Sequence, residues 1–379
     1  MIALDDNYTA IIAAGDFPAV ESFARKLLQR ATKKICCDHA ADIYRDEFGM
    51  EPDCVVGDCD SVRGDFRNLI RIEEQETNDL AKALGVCREN GYRNPILFGA
   101  TGKRDDHTIG NLFRAFDGNL TIATDYGYFF PVLNERQFRV LRGSPVSIFA
   151  FDKGTRVKSQ GLVWPLDEVS FENLYCATLN KSSDTLVKLS TGKKIYVYIP
   201  FAENHITLAS GSPRRSAILE KHHVDFSVCK TEAKEKSFAS DPERTVRENA
   251  LAKNKACPDA NTLSADTIVW CNNKIYGKPR DIAEARQFLA ELGGNTHTVF
   301  TGVAFNGEVR VEKSFVTFNR LTDAAIDEYI DKVQPLDRAG AYDINQSREL
   351  VIKEWQGEYE NIMGLPLAPL REWGIIDDE

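Results

Sequence analysis

The chain has 379 residues, more than one ordinary hydrophobic core accommodates, which predicts two or three domains. Hydrophobic residues make up 43% of it and aromatic residues 10%, as in globular proteins, and no stretch approaches the ~20 apolar residues of a membrane span. The formal net charge of -10 argues against general nucleic-acid binding and makes small phosphorylated molecules the expected partners.

The first residues and the cysteines together predict a cytoplasmic protein. The opening stretch MIALDDNYTAIIAAG carries two aspartates and no Lys or Arg before its apolar run, which argues against a secretory signal. The nine cysteines are scattered without paired C-x-x-C motifs, so we expect reduced thiols in the core rather than disulfides or zinc ligands.

Residues 1–134 alternate short apolar runs with helix-like segments. The expected strands are YTAIIAAG, KKICCD, DCVVGD, NPILFGA and LTIATD. This alternation predicts a parallel sheet covered by helices on both faces, that is, a three-layer α/β domain. Residues 135–202 instead carry closely spaced strand candidates, SPVSIFAF, TLVKLS and KIYVYIP, which predict a small β-sandwich.

Carboxylates follow several of the predicted strands. Asp58 and Asp60 come directly after the strand in DCVVGD, and ligands of open α/β sheets bind at the carboxyl ends of strands. Two such carboxylates can share a Mg²⁺ ion with substrate phosphates, although a surface turn is the alternative interpretation. Asp79 begins a predicted helix, and Arg104 and Asp106 follow another strand; helix-dipole pairing and solvated charge are their alternatives.

Several motifs in residues 1 to about 200 match one known family. They are Asp38, the runs GDCDS at 57–61 and GKRDDH at 102–107, the set Gln75, Asp79 and Lys82, and the segments GLVWPL with Trp164 and TLNKS with Asn180. Together they resemble thiamine pyrophosphokinase. That family usually has an Asp-Gly-Gly-Ala turn where this chain has Asp38-His39-Ala40-Ala41, so glycines that allow close backbone approach to a ligand are missing.

The resemblance implies transfer of the β,γ-diphosphate of ATP to the hydroxyl of thiamine, with release of AMP. Catalysis would rest on positioning and on charge neutralisation by Mg²⁺ and by Arg104, assisted by Lys103, with Asp106 orienting the hydroxyl. A homodimer is also implied, with thiamine bound where the β-domain of one subunit meets the α/β domain of the other. The implied metal ligands are Asp58, Asp60 and Asp79, and the implied substrate-binding residues are Asp38, Gln75, Lys82, Trp164 and Asn180.

Trp164 has two interpretations. Its indole can stack on the cationic, aromatic ring system of thiamine, or it can be a buried side chain of the sandwich core.

A second α/β pattern begins at residue 205 with HITLASGSPRRSAILE. It predicts a strand over 206–209, with Ser212 as the N-cap and Pro213 as the first residue of a helix. Arg214 and Arg215 then lie in the first turn, where the helix dipole is already positive. Such placement favours an anion bound at this helix terminus, the alternative being two solvated arginines.

Asp266 lies inside the apolar strand LSADTIVW, where an unpaired carboxylate costs several kcal/mol. It therefore needs a partner, for which Mg²⁺ or a metal-bound water is expected. Lys278 in GKP follows a hairpin predicted at NNK and adds a cation directed at phosphate. Further strands are predicted at TLSADTIVW, HTVFTGVAF and EKSFVTF, and helices at PERTVRENALAKNKA, IAEARQFLAEL and DAAIDEYIDKV.

The motifs LASGSPRRS, ADT, GKP, TGV and NIMGLPL together resemble the Maf family of nucleoside triphosphate pyrophosphatases, from about residue 205 to 375. The resemblance implies a two-lobed mixed α/β fold with a nucleotide in its cleft, hydrolysed between the α- and β-phosphates. The implied roles are Asp266 as catalytic base, Mg²⁺ held by Glu235 and Asp266, and substrate binding by Ser212, Arg214, Arg215, Lys255, Thr267, Lys278 and Gln346.

Two departures concern the base-reading segment. Arg338 stands where a lysine is usual, and the segment DINQ stands where GIQ is usual, so either Asn345 or Gln346 reads the base. In combining Arg215 with Thr267 and with an amide in the AGAY segment, the chain resembles the dTTP/UTP-hydrolysing branch of the Maf family, which implies a preference for dTTP and UTP over 7-methyl-GTP. An amide suits this preference because it matches the O4 and N3–H edge of thymine or uracil.

The sequence thus predicts a bifunctional enzyme with a thiamine pyrophosphokinase catalytic domain at 1–134, a thiamine-binding β-sandwich at 135–202 and a Maf-like domain at 205–379. The alternative is a kinase whose Maf-like half senses nucleotide without turning it over. A single nucleotidyltransferase with one composite site is disfavoured by the two complete sets of motifs.

Overall fold

The computed structural model describes residues 7–74, 76–257 and 259–377. The chain divides between Asn204 and His205 into two compact units. Among the described residues, no helix combines the length and the apolar character that crossing a membrane requires.

The first unit contains a ten-stranded sheet with the order β12-β9-β14-β7-β6-β5-β1-β2-β3-β4. Its parallel part consists of β1 (Thr9–Ile12), β2 (Lys33–Cys37), β3 (Cys54–Gly57), β4 (Leu69–Arg71), β5 (Ile96–Phe98) and β6 (Thr121–Ala123). The accompanying helices are α1 (Phe23–Arg30), α2 (Ala40–Phe48), α3 (Asp79–Glu89) and α4 (Asp105–Gly118). The predicted parallel α/β sheet is therefore confirmed.

Alternating side chains of the parallel strands supply two separate cores. Ile12 packs with Leu27 of α1 and Tyr44 of α2 in one hydrophobic cluster. Ile11, its neighbour in β1, belongs to a second cluster together with Leu84 of α3. Because successive side chains of a strand point to opposite faces, α1 and α2 cover one face and α3 and α4 the other, which gives the predicted three layers.

The rest of the first unit is antiparallel. Its strands are β7 (Gly127–Val132), β8 (Glu135–Arg139), β9 (Pro145–Phe149), β10 (Thr155–Gln160), β11 (Ser170–Phe171), β12 (Ala177–Lys181), β13 (Leu186–Thr191) and β14 (Ile195–Pro200). Four of them form a second sheet in the order β11-β10-β13-β8, and the other four extend the ten-stranded sheet. Side chains of both sheets share one core, so the predicted β-sandwich is present and one of its layers continues the parallel sheet.

The second unit has a sheet of seven strands in the order β16-β15-β17-β19-β20-β21, with β18 paired to β17. The strands are β15 (Ile206–Leu208), β16 (Phe226–Val228), β17 (Thr262–Cys271), β18 (Lys274–Tyr276), β19 (Thr296–Phe305), β20 (Glu308–Phe318) and β21 (Ile352–Gln356). The helices are α5 (Pro213–Lys221), α6 (Pro242–Ala256), α7 (Ile282–Leu292), α8 (Asp323–Val333), α9 (Arg348–Val351), α10 (Tyr359–Met363) and α11 (Leu367–Glu372). Helices α6, α7 and α8 begin and end at the predicted residues, and the mixed α/β fold is confirmed.

Candidate active sites

Three aspartates meet at the carboxyl ends of two neighbouring strands of the first unit. Asp38 follows β2, and Asp58 and Asp60 follow β3, which pairs with β2 in parallel. One carboxylate oxygen of each lies within 4.8 Å of the others. Asp38, predicted as a substrate-binding residue, thus joins the two carboxylates predicted to bind metal.

The environment of Asp38 fits a bound cation. Its side chain is buried, its Oδ2 atom accepts a hydrogen bond from the Ser61 hydroxyl, and its Oδ1 atom has no hydrogen-bond partner among the described residues. A buried carboxylate oxygen without a donor is destabilising unless a cation satisfies it. Carboxylate oxygens are also the ligands that hard divalent ions prefer, so the residues present fit such an ion.

Asp79 lies beside this cluster but is paired with a lysine. Its Oδ1 atom is 3.4 Å from the Nζ atom of Lys82, whose side chain is only 3% exposed. Burial raises the pKa of Asp79, and the charges of Asp38 and Asp58 add to the rise against the opposing effect of Lys82. A Cβ atom on Gly57 would lie 3.0 Å from the Asp38 Cβ and 3.3 Å from the Asp79 Oδ1, so a larger residue there would press on both carboxylate side chains.

Arg104 and Asp106 are paired with each other at the start of α4. The Nε atom of Arg104 is 3.1 Å from the Asp106 Oδ1, and its Nη2 atom is 2.5 Å from the Oδ2. The hydrogen bond from Arg104 lowers the pKa of Asp106 to about 2, so this carboxylate is ionised at neutral pH and is a weak base. The arrangement suits an acceptor that orients a hydroxyl. Gln75, the other residue predicted near this site, lies outside the described residues.

Trp164 is 56% exposed, so the alternative of a buried core side chain is wrong. The backbone N–H of Trp164 donates to the Asn180 Oδ1 over 3.2 Å, and the Asn180 Nδ2 donates back to the Trp164 backbone carbonyl over 2.8 Å. Asn180 is buried and its amide is engaged by this backbone, so it supports the loop that carries the tryptophan. Trp164 borders a concavity of about 350 Å³ whose other walls include Leu166 and Leu179.

The second unit contains a cleft of about 1000 Å³. The predicted residues that line it are Ser212, Arg214, Arg215, Glu235, Asp266, Thr267, Lys278 and Gln346. Lys255 does not line it and is exposed elsewhere on α6, so its predicted role in the cleft is wrong.

The partner of the buried carboxylate of Asp266 is Lys253, a residue that sequence reasoning missed. The Lys253 Nζ donates to the Asp266 Oδ1 over 2.6 Å, and the Asn249 Nδ2 donates to the Oδ2 over 3.0 Å. Lys255 lies two residues beyond Lys253, which is about 200° around a helix and therefore on the other side. The spacing of Asn249 and Lys253, four residues apart on α6, is the pattern that could have identified this face.

Lys253 also occupies the position between the two predicted metal ligands of the cleft. Its Nζ atom is 2.8 Å from the Glu235 Oε1 as well as 2.6 Å from the Asp266 Oδ1. The predicted convergence of Glu235 and Asp266 is therefore present, but an ammonium group balances both charges in this structure.

Arg215 joins four of the sequence motifs at one point. Its Nε donates to the Gly364 carbonyl over 2.8 Å, its Nη1 to the Ser210 hydroxyl over 3.0 Å and its Nη2 to the Thr267 hydroxyl over 3.1 Å. The Thr267 hydroxyl in turn lies 3.1 Å from that of Thr301. Burial lowers the pKa of Arg215 to about 10, which still leaves it protonated at neutral pH.

Arg214 is the arginine that is available to a ligand. Its Nε atom is buried without a hydrogen-bond partner among the described residues, and its Nη1 atom is 3.5 Å from the Asp343 Oδ2. Ser212 is the N-cap of α5 as predicted, but its side chain makes no capping hydrogen bond. The first turn of α5 therefore offers donors that an anion in the cleft can satisfy.

The two candidate base-reading amides have different surroundings. The Asn345 Oδ1 accepts a hydrogen bond from the Tyr359 hydroxyl, so this side chain is anchored to α10. The exposed side chain of Gln346 lines the cleft and makes no side-chain hydrogen bond within the described part of the chain.

These features define a chain with two candidate active sites, one in each α/β unit. Family models identify them: "Thiamin pyrophosphokinase, catalytic domain" matches residues 24–122, "Thiamin pyrophosphokinase, substrate-binding domain" matches 127–198, and "Maf-like protein" matches 205–373. The chain belongs to the Maf family through its second unit and carries thiamin pyrophosphokinase domains in its first.

Individual relatives match one unit each. A dTTP/UTP pyrophosphatase of Bacillus cytotoxicus is 42% identical over 172 residues, which is 43% of this chain and 90% of the relative. A dTTP/UTP pyrophosphatase of Thermosipho melanesiensis is 36% identical over 178 residues, 46% of this chain and 97% of the relative. The structure of thiamine pyrophosphokinase from Bacillus subtilis matches with 19% identity and a TM-score of 0.42, over 51% of this chain and 98% of that one.

Proposed function

We propose that the chain is a bifunctional enzyme. The first unit transfers the β,γ-diphosphate of ATP to the hydroxyl of thiamine, giving thiamine diphosphate and AMP. The second unit hydrolyses nucleoside triphosphates, with dTTP and UTP preferred, to the monophosphate and pyrophosphate. We assign catalysis of the transfer to residues 1–134, thiamine binding to 135–202 and hydrolysis to 205–379.

In the first unit, Asp38, Asp58 and Asp60 hold Mg²⁺, and the unpartnered Oδ1 atom of Asp38 supports this assignment. The ion supplies charge neutralisation to the phosphates of ATP. Arg104 stabilises charge on the transferred group, and Asp106 accepts a hydrogen bond from the thiamine hydroxyl. Trp164 provides an exposed face on which the thiazolium ring of thiamine stacks. We further propose a homodimer formed through this unit, which light scattering of the intact chain tests.

In the second unit, Arg214 and the first turn of α5 bind the phosphates. Asp266 orients a water molecule whose oxygen attacks the α-phosphorus; the bond from that phosphorus to the α,β-bridging oxygen breaks, pyrophosphate leaves and the water proton passes to Asp266. Lys253 holds Asp266 in place and balances its charge. Glu235 and Asp266 are the residues that would bind a Mg²⁺ ion carried by the triphosphate. That ion would neutralise phosphate charge.

The observation that carries the hydrolase proposal is the buried Asp266 with both oxygens held by donors in a cleft lined by Arg214 and Arg215. A domain that only sensed nucleotide would need the arginines but not a buried, oriented carboxylate. This favours catalysis over the nucleotide-sensing alternative.

One pair of assays on the intact chain tests both halves. AMP formation is measured with thiamine and ATP, and pyrophosphate release is measured with dTTP, UTP, dCTP and 7-methyl-GTP. We expect thiamine-dependent AMP formation, and a higher kcat/KM for dTTP and UTP than for 7-methyl-GTP. Binding of dTTP without pyrophosphate release would instead support the sensing alternative.

A further inference from the structure

One buried carboxylate, that of Asp343, contacts both ends of the segment 338–346. The side chain of Asp343 is 3% exposed, and its Oδ2 atom accepts a hydrogen bond from the Arg338 Nε over 2.7 Å. The same oxygen is 3.5 Å from the Arg214 Nη1. The other oxygen, Oδ1, accepts from the backbone N–H of Asn345 over 2.8 Å.

The charge of Asp343 is maintained by these contacts. Burial acts to raise the pKa of Asp343, but the hydrogen bonds from Arg338 and from the Asn345 N–H, with the charges of both arginines, lower it below its usual value. The carboxylate is therefore ionised at neutral pH. Arg338 is also paired with Asp337, whose side chain is largely exposed.

The two departures noted in the sequence are thus in direct contact. Arg338 and the first residue of DINQ form one ion pair across the AGAY turn. The backbone N–H of Asp343 donates to the Tyr329 hydroxyl over 2.8 Å, which also ties this point to α8. Asn345 and Gln346 both line the cleft, but the Asn345 Oδ1 atom is engaged by the Tyr359 hydroxyl, so Gln346 is the amide whose side chain remains for a base.

We propose that Asp343 is a positioning and specificity-determining residue that links the two ends of the nucleotide site. Its Oδ2 atom holds Arg214 for the phosphates, and its Oδ1 atom holds the turn that presents Gln346 to the base. This inference rests on the proposed function of the second unit and adds the means by which the site prefers one base.

Two substitutions of Asp343 distinguish the roles of its two carboxylate oxygens. In Asp343→Asn the amide oxygen can still accept a hydrogen bond from the Asn345 N–H. The Nδ2 group would face Arg338 and Arg214, and because it is a donor without negative charge it can neither accept their hydrogen bonds nor balance their charge. We expect binding and KM to weaken about 10-fold for every triphosphate, the scale of a lost hydrogen bond between charged groups, with base preference kept. Asp343→Ala removes both contacts and is expected in addition to reduce the preference for dTTP over dCTP about 10-fold.

We compare dTTP with dCTP because the hydrogen-bonding edges of their bases differ. Cytosine has an acceptor at N3 and a donor at N4, the reverse of thymine, so an amide discriminates between them only when it is held in one orientation.

The matched control is Asp337→Asn, which removes the other partner of Arg338. Asp337 is 65% exposed, so we expect KM to change less than 2-fold, as when a surface ion pair is lost.

The experiment uses the intact chain and two readouts. Affinities for the α,β-imido analogues of dTTP and dCTP are measured by calorimetry, and kcat and KM are measured for the two nucleotides. Thiamine-dependent AMP formation by the first unit checks that each variant is folded and pure. For Asp343→Asn we expect weaker affinity and a higher KM, with kcat nearly unchanged. We expect the preference for dTTP over dCTP to fall only in Asp343→Ala.

The outcomes separate this inference from the proposed hydrolysis. A wild-type chain that binds the dTTP analogue but releases no pyrophosphate contradicts hydrolysis, and the affinities of the variants then decide the role of Asp343. Wild-type turnover with unchanged affinity and KM in Asp343→Asn, or unchanged preference in Asp343→Ala, overturns the inference alone. A wild-type chain that binds neither analogue overturns both.

Discussion

Lys253 and Lys255 are two residues apart on α6, and only the first reaches the cleft. Lys253→Gln removes the ammonium group that holds Asp266 and Glu235, so we expect pyrophosphate release from dTTP to fall about 100-fold, as when a charge-stabilising donor is lost from an active site. Lys255→Gln, an equal change on the exposed side of the helix, should stay near the wild-type rate. Equal losses in both variants would contradict the assignment.

The acidic cluster of the first unit allows a second matched comparison. Asp58→Asn or Asp60→Asn weakens the cluster for a divalent cation, so we expect thiamine-dependent AMP formation to fall at least about 100-fold. Asp65→Asn changes an exposed carboxylate of the same loop and is the control. Pyrophosphate release from dTTP should be unchanged in all three. Normal AMP formation in both cluster variants would show that these carboxylates hold no catalytic metal.

At this scale the sequence predicts which residue types assemble but not which atoms they contact. The strand-end position of Asp58 and the apolar surroundings of Asp266 were sufficient to single them out. Two features could not be predicted: the unpartnered oxygen of Asp38, and the fact that Lys253 rather than Lys255 reaches Asp266. Both depend on the direction of a side chain, which changes with a shift of one residue along a helix or with the conformation of a loop.

Strands and helices with strong apolar patterns were predicted almost to the residue, as α6, α7 and α8 illustrate. The sequence analysis named no strand for β4, β7, β8, β10, β11, β12, β16 or β21, and three of these, β4, β11 and β16, have only two or three residues and lie at sheet edges. Such strands have little buried surface, so they lack the apolar run that identifies a strand in a sequence. The continuity of the ten-stranded sheet was also not predictable, because pairing between distant strands leaves no local pattern.

The close packing of α6 on β19 explains the glycine of TGV. A Cβ atom on Gly302 would lie 2.4 Å from the Val246 carbonyl oxygen, so Gly302→Ala must push away the helix that carries Asn249 and Lys253. We expect the free energy of unfolding of the second unit to fall by about 2–3 kcal/mol, as for overpacking, and dTTP hydrolysis to fall with it. Denaturant unfolding measures the first effect.

The control for that experiment is Gly277→Ala. A Cβ atom there would meet nothing within 4 Å, and the residue has no positive φ, so stability should change by less than about 0.5 kcal/mol. A stable Gly302→Ala variant with normal turnover would mean that α6 can shift without consequence for Asp266.

For the whole molecule, the division at Asn204 predicts that the two activities are separable. The two hydrophobic clusters described above draw their residues from the first unit, and a further cluster that includes Val269, Leu289 and Tyr329 lies within the second. We expect residues 1–204 alone to form AMP with thiamine and ATP, and residues 205–379 alone to hydrolyse dTTP, each within about 3-fold of the intact chain. Circular dichroism checks that each fragment is folded. Loss of activity in a folded fragment would mean that its site needs the other unit.

Within the first unit no such separation exists. One hydrophobic cluster extends from Leu27 of α1 to Val187 of β13, and β14 pairs with β7 over six residues of the shared sheet. A hinge between the α/β part and the sandwich would have to open that core and break those backbone hydrogen bonds, so the shared core and sheet oppose such a motion. Any change of shape on binding the substrates proposed for this unit is therefore expected in loops, such as the loop after β3 that bears Asp58 and Asp60.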